Sequence, residues 1–372
     1  MMPPMTMPAP RKLMIVAAGT GGHVMPGLAI AQALRARGWV VSWLGTRAGM
    51  ERSLVERAGL EFHAIAFSNM RGKGAAAFAA GIVRLAGALL ASLRILRRSA
   101  PHVVFTTGGY VAVPAGLAAA CLRRPLAFLN ADAAPQLSLR ILLRFVRVVL
   151  CGFDGAAARL AGPKARVSGA PVRAEIAALP EPAARFAGRS GRLTLLVIGG
   201  SLGAQVLNEV VPAALSLVEP ADRPDVVHQC GAGNEATTRS AYERRGVAVD
   251  LVPFIDDIAA RYAVADVVLC RAGAITVTEL CVAGIAAILV PLVAATTAHQ
   301  RANAEFLAAQ EAALHLPQAQ CTAPALAQLL HGLRRPRLQE LAQRARALGR
   351  PDATARVVRE IEALAQPAAE LA

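Results

Sequence analysis

Two stretches of the chain alternate short apolar runs with amphipathic segments. In the first, Leu13–Ala17, Val40–Leu44, His63–Ala66, His102–Thr106, Leu126–Leu129 and Val148–Cys151 are predicted strands. Segments such as Gly27–Arg37 and Gly49–Ala58 lie between them with apolar positions at helical spacing. The rhythm restarts with Leu193–Ile198, Asp225–Gln229, Val247–Leu251, Asp266–Cys270 and Ala286–Val290. Apolar runs separated by helices predict parallel strands buried on both faces, the α/β class. Between the two stretches lies Gly169-Ala-Pro-Val-Arg173, followed by a Pro/Ala/Gly-rich segment to Gly191. The expectation is therefore two doubly wound domains, residues 11–169 and 170–350. In the tail, Val357, Ile361 and Leu364 recur at i, i+4 and i+7. They predict a last helix over about 351–365, which in two-domain chains of this kind can return to the first domain.

Each stretch opens on the same kind of corner. Leu13–Ala17 runs into Gly19-Thr-Gly-Gly-His-Val-Met-Pro-Gly27, and Leu193–Ile198 runs into Gly199-Gly-Ser-Leu-Gly-Ala204. Glycine lets backbone approach a ligand closely, and the following helix N-terminus offers N–H groups and partial positive charge. Neither corner is GxxxxGK[ST]. The first also fails the dinucleotide pattern, because Val24 stands at its last glycine.

Charge divides the chain unevenly. Of 40 Lys+Arg, 21 lie in residues 1–169, against 5 of the 25 Asp+Glu, so the first half holds all of the net +15. An acidic substrate, an anionic membrane surface or nucleic acid fits such a half, as does an arginine-rich composition bias. Aromatic interleaving of the basic residues is missing, which argues against nucleic acid. Met1–Pro10 is proline-rich without an apolar core and reads as a tail, not a secretory signal. The six cysteines form no CxxC pair and mostly fall in apolar runs, so they read as buried thiols. Residues 75–96 place Phe78, Ile82, Leu85, Leu89, Leu93 and Leu96 on one stripe, but Arg84 interrupts the run and Arg94, Arg97 and Arg98 end it. A membrane span needs about 20 apolar residues, so none is expected. A core helix, or a helix dipping its apolar side into a bilayer interface, remains.

Several positions carry candidate chemistry. His23 enters the helix after the first glycine loop, where an imidazole can take a proton from an attacking hydroxyl; a structural or capping histidine is the alternative. Thr107-Gly-Gly-Tyr110 follows a strand and sets a hydroxyl beside two glycines, or is a tight turn with a packing tyrosine. Gly199–Gly203 offers N–H groups and the Ser201 hydroxyl to a diphosphate, and Arg173 can clamp the same group. After Asp266–Cys270, Glu279 falls in the next helix and can accept ribose hydroxyls, or is a surface acid favoured by the helix dipole. Pro253-Phe-Ile-Asp-Asp257 can set backbone against a base edge. With neither a DxD pair nor HExxH, no metal site is read.

Together these stretches resemble the MurG family of N-acetylglucosaminyltransferases. GTGGHVMPGLAIAQAL, WLGT, MRGKG, TTGGYVAVPAGLAA, GAPVR, GGSLGAQVLNEVVP, HQCG, PFIDDIAARYAVADVVLCRAGAITVTEL and PDATARV carry the likeness in order over residues 12–362. The resemblance implies a GT-B fold of two Rossmann-like domains with the site between them. It implies an inverting, metal-independent transfer, without cofactor, from UDP-N-acetylglucosamine to the lipid-linked muramoyl-pentapeptide, lipid I, at an anionic membrane surface. By position, His23 resembles the base for the acceptor 4-hydroxyl, and Thr20, Gly21 and Gly22 the loop near donor sugar and acceptor diphosphate. Arg173 and Ser201 match diphosphate contacts, Ile255 the backbone that reads uracil, and Ala274, Ile275, Thr276, Val277, Thr278 and Glu279 the nucleoside turn. His299 and Gln300 match donor-sugar contacts, while Arg71, Lys73 and Tyr110 fall on the acceptor side.

The chain departs from the family pattern on the sugar side. Asp132 replaces the Asn expected on the donor sugar and Asn130 the usual Glu. Ala272 stands for Ser, Ala170 for Asn, and Thr296-Thr297-Ala298 for acidic residues. Two other readings stand beside the transferase: a diverged GT-B enzyme with another sugar or acceptor, and a non-catalytic binding protein that keeps the fold.

Overall fold

The computed structural model describes residues 10–19, 21–47, 49, 51–67, 75–200, 202–292 and 298–366. Internal contacts divide the chain into two compact units. One holds the chain up to Ala131, Pro135–Pro171 and the segment from Asp352; the other holds Asp132–Ala134 and Val172–Pro351.

In the first unit, β1 (Lys12–Val16), α1 (Gly21–Arg35), β2 (Val40–Thr46), α2 (Glu51–Arg57), β3 (Glu61–Ile65), α3 (Ala75–Ser99) and β4 (Val103–Thr106) follow in order. Then come α4 (Ala112–Cys121), β5 (Leu126–Asn130), α5 (Leu137–Leu142), β6 (Val148–Cys151), α6 (Ala156–Ala161) and β7 (Ala165–Val167). The strands pair in parallel as β3-β2-β1-β4-β5-β6-β7. Strands β4, β5 and β6 are buried along their whole length, as a sheet covered on both faces requires.

The second unit carries α7 (Ala174–Ala177), α8 (Pro182–Phe186), β8 (Thr194–Ile198), α9 (Gln205–Ser216), β9 (Asp225–Gln229), α10 (Glu235–Glu243) and β10 (Asp250–Val252). It continues through α11 (Ile258–Val264), β11 (Val267–Cys270), α12 (Ala274–Ala283), β12 (Ala287–Leu289), α13 (Ala298–Ala309), β13 (Leu314–His315), α14 (Ala323–Gly332) and α15 (Arg335–Leu348). Its parallel order is β10-β9-β8-β11-β12-β13. The last helix, α16 (Ala353–Leu364), returns to the first unit. It buries Val357, Val358 and Ile361 in the core layer of Leu13, Ile15 and Leu34, with Arg37 paired to Glu362 at 2.8 Å.

Helix α1 begins at Gly21, earlier than the apolar spacing suggested, and takes His23 into its first turn. Pro26 lies inside the helix, in its second turn, where it removes the N–H that would bond the carbonyl of Gly22. The helix sits hard on the sheet: a Cβ at Gly27 would lie 2.6 Å from the Trp43 ring. Fully buried Trp43 donates its indole N–H to Ala17 O at 2.9 Å, fixing where the chain leaves β1.

Among the described residues no helix is long and apolar enough to cross a membrane. Helix α3 has two sides. Ala88, Ser92 and Leu96 are buried at helical spacing, while Ile82, Val83 and Leu90 are more than half exposed. One cysteine departs from expectation: Cys121, the last residue of α4, is exposed, and the other five are buried. An apolar run ending a helix does not dictate which way its last side chain points.

Candidate active site

In each sheet the chain turns to opposite sides after two neighbouring central strands, β1 and β4 in one and β8 and β11 in the other. Ligands of open parallel sheets bind outside the carboxyl ends of such strands.

In the first unit, His23 Nδ1 lies 2.9 Å from Thr107 O. A carbonyl only accepts, so Nδ1 carries the proton and the basic lone pair of the neutral ring is on Nε2. The Thr107 hydroxyl donates back to His23 O at 2.8 Å, locking α1 to the loop after β4. Because its ring donates to another element, His23 is not a cap of its own helix. Gly108 and Gly109 both have positive φ, +97° and +79°. A Cβ at Gly108 would meet Gln136 Oε1 at 1.8 Å, and one at Gly109 would lie 3.2 Å from Ala18 O. The two loops therefore need glycine to approach. Tyr110 packs on Phe67, ring centroids 6.1 Å apart, with its hydroxyl 3.5 Å from Thr46 Oγ1. Gly21 and Gly22 are half-buried in the first turn of α1. Thr20, Arg71 and Lys73 lie outside the described residues.

Behind these loops stands a residue the sequence did not single out. Glu51, the first residue of α2, is 0 % exposed. Its Oε1 accepts from Thr46 N at 2.8 Å and the Thr46 hydroxyl at 2.7 Å; its Oε2 accepts from Gly19 N at 3.4 Å. A Cβ at Gly49 would lie 2.0 Å from Oε2, so a larger residue there would push the carboxylate from its place.

In the second unit the loop after β8 is stacked on the turn after β9. A Cβ at Gly203 would lie 2.0 Å from Cys230 O, and one at Gly231 2.1 Å from Gly203 N. Neither Ala204 before α9 nor Gly273 before α12 caps its helix with a side chain. Two helix N-termini thus present N–H groups and positive dipole ends at this sheet edge, suited to a phosphate. Ser201, between the glycines, lies outside the described residues.

A buried polar chain supports this loop. Asn208 Nδ2 donates to Cys230 O at 3.0 Å, so Asn208 Oδ1 is the acceptor facing His228 Nε2 at 3.1 Å. His228 Nε2 therefore carries the proton, and Nδ1 accepts from the Tyr242 hydroxyl at 2.8 Å. Burial lowers the His228 pKa to about 4 and raises that of Tyr242, so both stay neutral. Gln229 Nε2 adds a bond to Gly200 O at 3.3 Å. The HQCG stretch contains three of these residues, His228, Gln229 and Cys230, yet its spacing gave them no role.

The structure joins Arg173 and Glu279, which were read as separate contacts. Arg173 Nε and Nη2 both donate to Glu279 Oε1, at 3.2 and 2.9 Å. Glu279 is buried, which excludes the surface-acid reading; burial raises its pKa and Arg173 opposes that shift. The pairing uses one carboxylate oxygen. On the same helix, Ala274, Ile275 and Thr276 are half-exposed, whereas Val277 is in the core and Thr278 donates to Ala274 O at 2.7 Å. Ile255 lies half-buried in the segment before α11, whose N-cap Asp257 accepts from Ala260 N at 2.9 Å.

On α13, His299 is half-buried and Gln300 accepts from Leu292 N at 3.0 Å. Asn303, one turn on and unforeseen, is fully buried. It donates to Asp132 Oδ1 at 2.9 Å and Ala272 O at 3.1 Å, and accepts from Ala133 N at 2.8 Å. Asp132, expected against a donor sugar, thus has its carboxylate buried and engaged by an amide. Asn130 accepts from Gln136 N at 2.9 Å, a structural task that does not need the acid it replaces. Thr296 and Thr297 lie outside the described residues.

The Glycosyltransferase family 28 N-terminal domain matches residues 13–151 and the family 28 C-terminal domain residues 194–357. A protein of Methylibium petroleiphilum is 54% identical over 359 residues, 95% of this chain and 98% of its own. One of Chromobacterium violaceum is 52% identical over 94% of this chain and 97% of its own. Both are named UDP-N-acetylglucosamine--N-acetylmuramyl-(pentapeptide) pyrophosphoryl-undecaprenol N-acetylglucosamine transferase. The crystal structure of Acinetobacter baumannii MurG superposes with a TM-score of 0.82 at 36% identity, covering 95% of this chain and all of that one. With two Rossmann-like units of the GT-B kind and full-length relatives of this identity, the chain belongs to glycosyltransferase family 28 and, within it, to the MurG family.

Proposed function

We propose that this chain transfers N-acetylglucosamine from UDP-N-acetylglucosamine to the 4-hydroxyl of the muramoyl sugar of lipid I, giving lipid II. The observation that carries the reading is the full-length identity to transferases named for that reaction. The chemistry at hand fits it. The second unit takes the donor: the N-termini of α9 and α12 face the diphosphate, with Arg173 and Ser201 as further contacts. Ile255 and the α12 turn take the nucleoside, Glu279 the ribose, and His299 and Gln300 the sugar. The first unit takes the acceptor through Gly21, Gly22, His23 and Tyr110, with Thr20, Arg71 and Lys73 as additional contacts.

In the reaction the acceptor oxygen attacks the anomeric carbon as the bond to the UDP oxygen breaks. His23 Nε2 receives the hydroxyl proton, held in the correct tautomer by the Nδ1–Thr107 bond. A single displacement inverts the anomeric centre. The departing UDP gathers negative charge, which the helix N-termini and Arg173 stabilise.

The lipid tail requires a membrane surface, and exposed side chains of the first unit support its meeting one. Helix α3 exposes Ile82, Val83 and Leu90 beside Arg84 and Arg94, and α5 exposes Leu137 and Ile141 beside Arg140. Apolar side chains rimmed by arginine suit the interface of an anionic bilayer.

The test is direct. With UDP-N-acetylglucosamine, a short-chain lipid I analogue and chelator, the protein should release UDP and form lipid II. No product here but turnover with another sugar nucleotide would overturn the reading. Binding to anionic vesicles should fall steeply with salt; equal binding to neutral vesicles would remove the electrostatic part.

A further inference from the structure

We infer that Glu51 is a positioning residue for the acceptor-side loops: it orders a hydrogen-bond chain that fixes Gly19 and makes the Tyr110 oxygen an acceptor. The inference rests on the reading of these loops as the acceptor side.

The argument starts from donors and acceptors. Three hydrogens converge on the Glu51 carboxylate, from Thr46 N, the Thr46 hydroxyl and Gly19 N. No Lys or Arg among the described residues pairs with it. A carboxylate buried without a cation is tolerated only when donors satisfy it, and a residue of this kind is kept at a cost in stability. The Thr46 hydroxyl has a single proton, and Glu51 takes it. The Tyr110 hydroxyl, 3.5 Å from Thr46 Oγ1, must therefore donate toward Thr46. The chain runs Tyr110 to Thr46 to Glu51, and it leaves the Tyr110 oxygen as an acceptor. A sugar hydroxyl or a peptide N–H of the acceptor meets a fixed acceptor there, not a freely rotating hydroxyl.

The other oxygen acts on the loop that precedes His23. Gly19, at φ +104°, gives its N–H to Glu51 Oε2, and a Cβ on it would be 3.8 Å from the Tyr110 ring. One carboxylate thus holds both loops that flank His23. Glutamine cannot replace it. Its carbonyl oxygen can keep both Thr46 donors, but its amide nitrogen then confronts the Gly19 N–H, donor against donor.

Steady-state kinetics of Glu51→Gln, Tyr110→Phe and the double variant, with UDP-N-acetylglucosamine and a short-chain lipid I analogue, test this. Glu51→Gln should lower acceptor kcat/KM at least about tenfold and leave the donor KM within about twofold. Combined with Tyr110→Phe it should cost little more than the worse single change, because both act through one chain. Multiplying effects, or equal losses toward donor and acceptor, would overturn the inference. Thr46→Val keeps strand propensity and cuts the relay alone; if Glu51→Gln does not fold, the same non-additivity with Tyr110→Phe is required of it. Turnover surviving in His23→Ala would refute the base assignment, yet leave this cycle intact, so the two failures are distinguishable.

Discussion

The two glycine corners share a strand–loop–helix geometry, and the groups behind them differ in charge. Behind Gly19 stands the carboxylate of Glu51. Behind Gly200–Gly203 stand amides and a neutral imidazole: Gln229, Asn208 and His228. A buried carboxylate about 6 Å from one phosphate charge would repel it by roughly 3 kcal/mol at an effective dielectric of about 20. An acid at the back of the second corner would therefore weigh against the UDP diphosphate there, while at the first corner the carboxylate is held by Gly19 N and Thr46 behind the residue that handles a hydroxyl and a proton. The comparison teaches that the fold supplies the same corner twice and the buried support behind each differs in charge.

The largest effect expected is on the first corner. His23→Ala should lower kcat by about 10²–10⁴, the usual worth of a general base, with UDP binding unchanged. Turnover within about tenfold of the parent would refute the base assignment, and weakened UDP binding would show that the first corner also holds the donor.

The second prediction installs the first corner's support behind the second. Gln229→Glu is isosteric and puts a carboxyl against Gly200 O. At low pH the introduced group keeps a proton and donates to that carbonyl, as the amide does. As pH rises it ionises, loses the bond and repels the donor. UDP affinity measured by calorimetry should fall about tenfold at pH 8 and largely recover near pH 5. A pH-independent loss would mean that the side chain matters for shape alone.

Much of this contrast was hidden in the sequence, for physical reasons. Parallel strands buried on both faces read as apolar runs, and a corner needing close approach reads as glycine, so both sheets and both corners were legible. Two of the edge strands were not: β7 is three residues centred on exposed Arg166, and β13 is two residues. Glu51 sits in an amphipathic segment where an acid suggests solvent; its burial comes from Gly19, 32 positions away, and from the end of β2. Asn303 is likewise a polar residue on a polar helix until Asp132, 171 positions away, meets it. Arg173 and Glu279 were each assigned to a ligand because sequence gives no hint that they face each other across 106 positions. Residue type advertises chemistry, but only the fold shows which polar groups have already found one another.

The smallest effect concerns the neutrality of the second corner's support. His228 has its pKa lowered from 6.5 to about 4 by burial, so the unfolded chain binds this proton more readily than the folded one. Folding stability therefore rises with pH between about 4 and 6.5 on this account and is flat above, where both states are neutral. Acidification from pH 6.5 to about 4 should remove stability on the order of 3 kcal/mol through His228 alone. The direction follows from the bonds as well. A protonated ring would donate from both nitrogens, and the Tyr242 hydroxyl now donating to Nδ1 would have to turn away. Urea denaturation of the parent and His228→Gln across this range isolates the contribution, because other titrating groups are shared. The stability gap between the two should narrow as pH falls and stay constant above about 6.5. A gap independent of pH would mean that folding leaves the His228 pKa unchanged, and a gap that widens as pH falls would mean that the folded ring carries the proton and puts a cation behind the second corner.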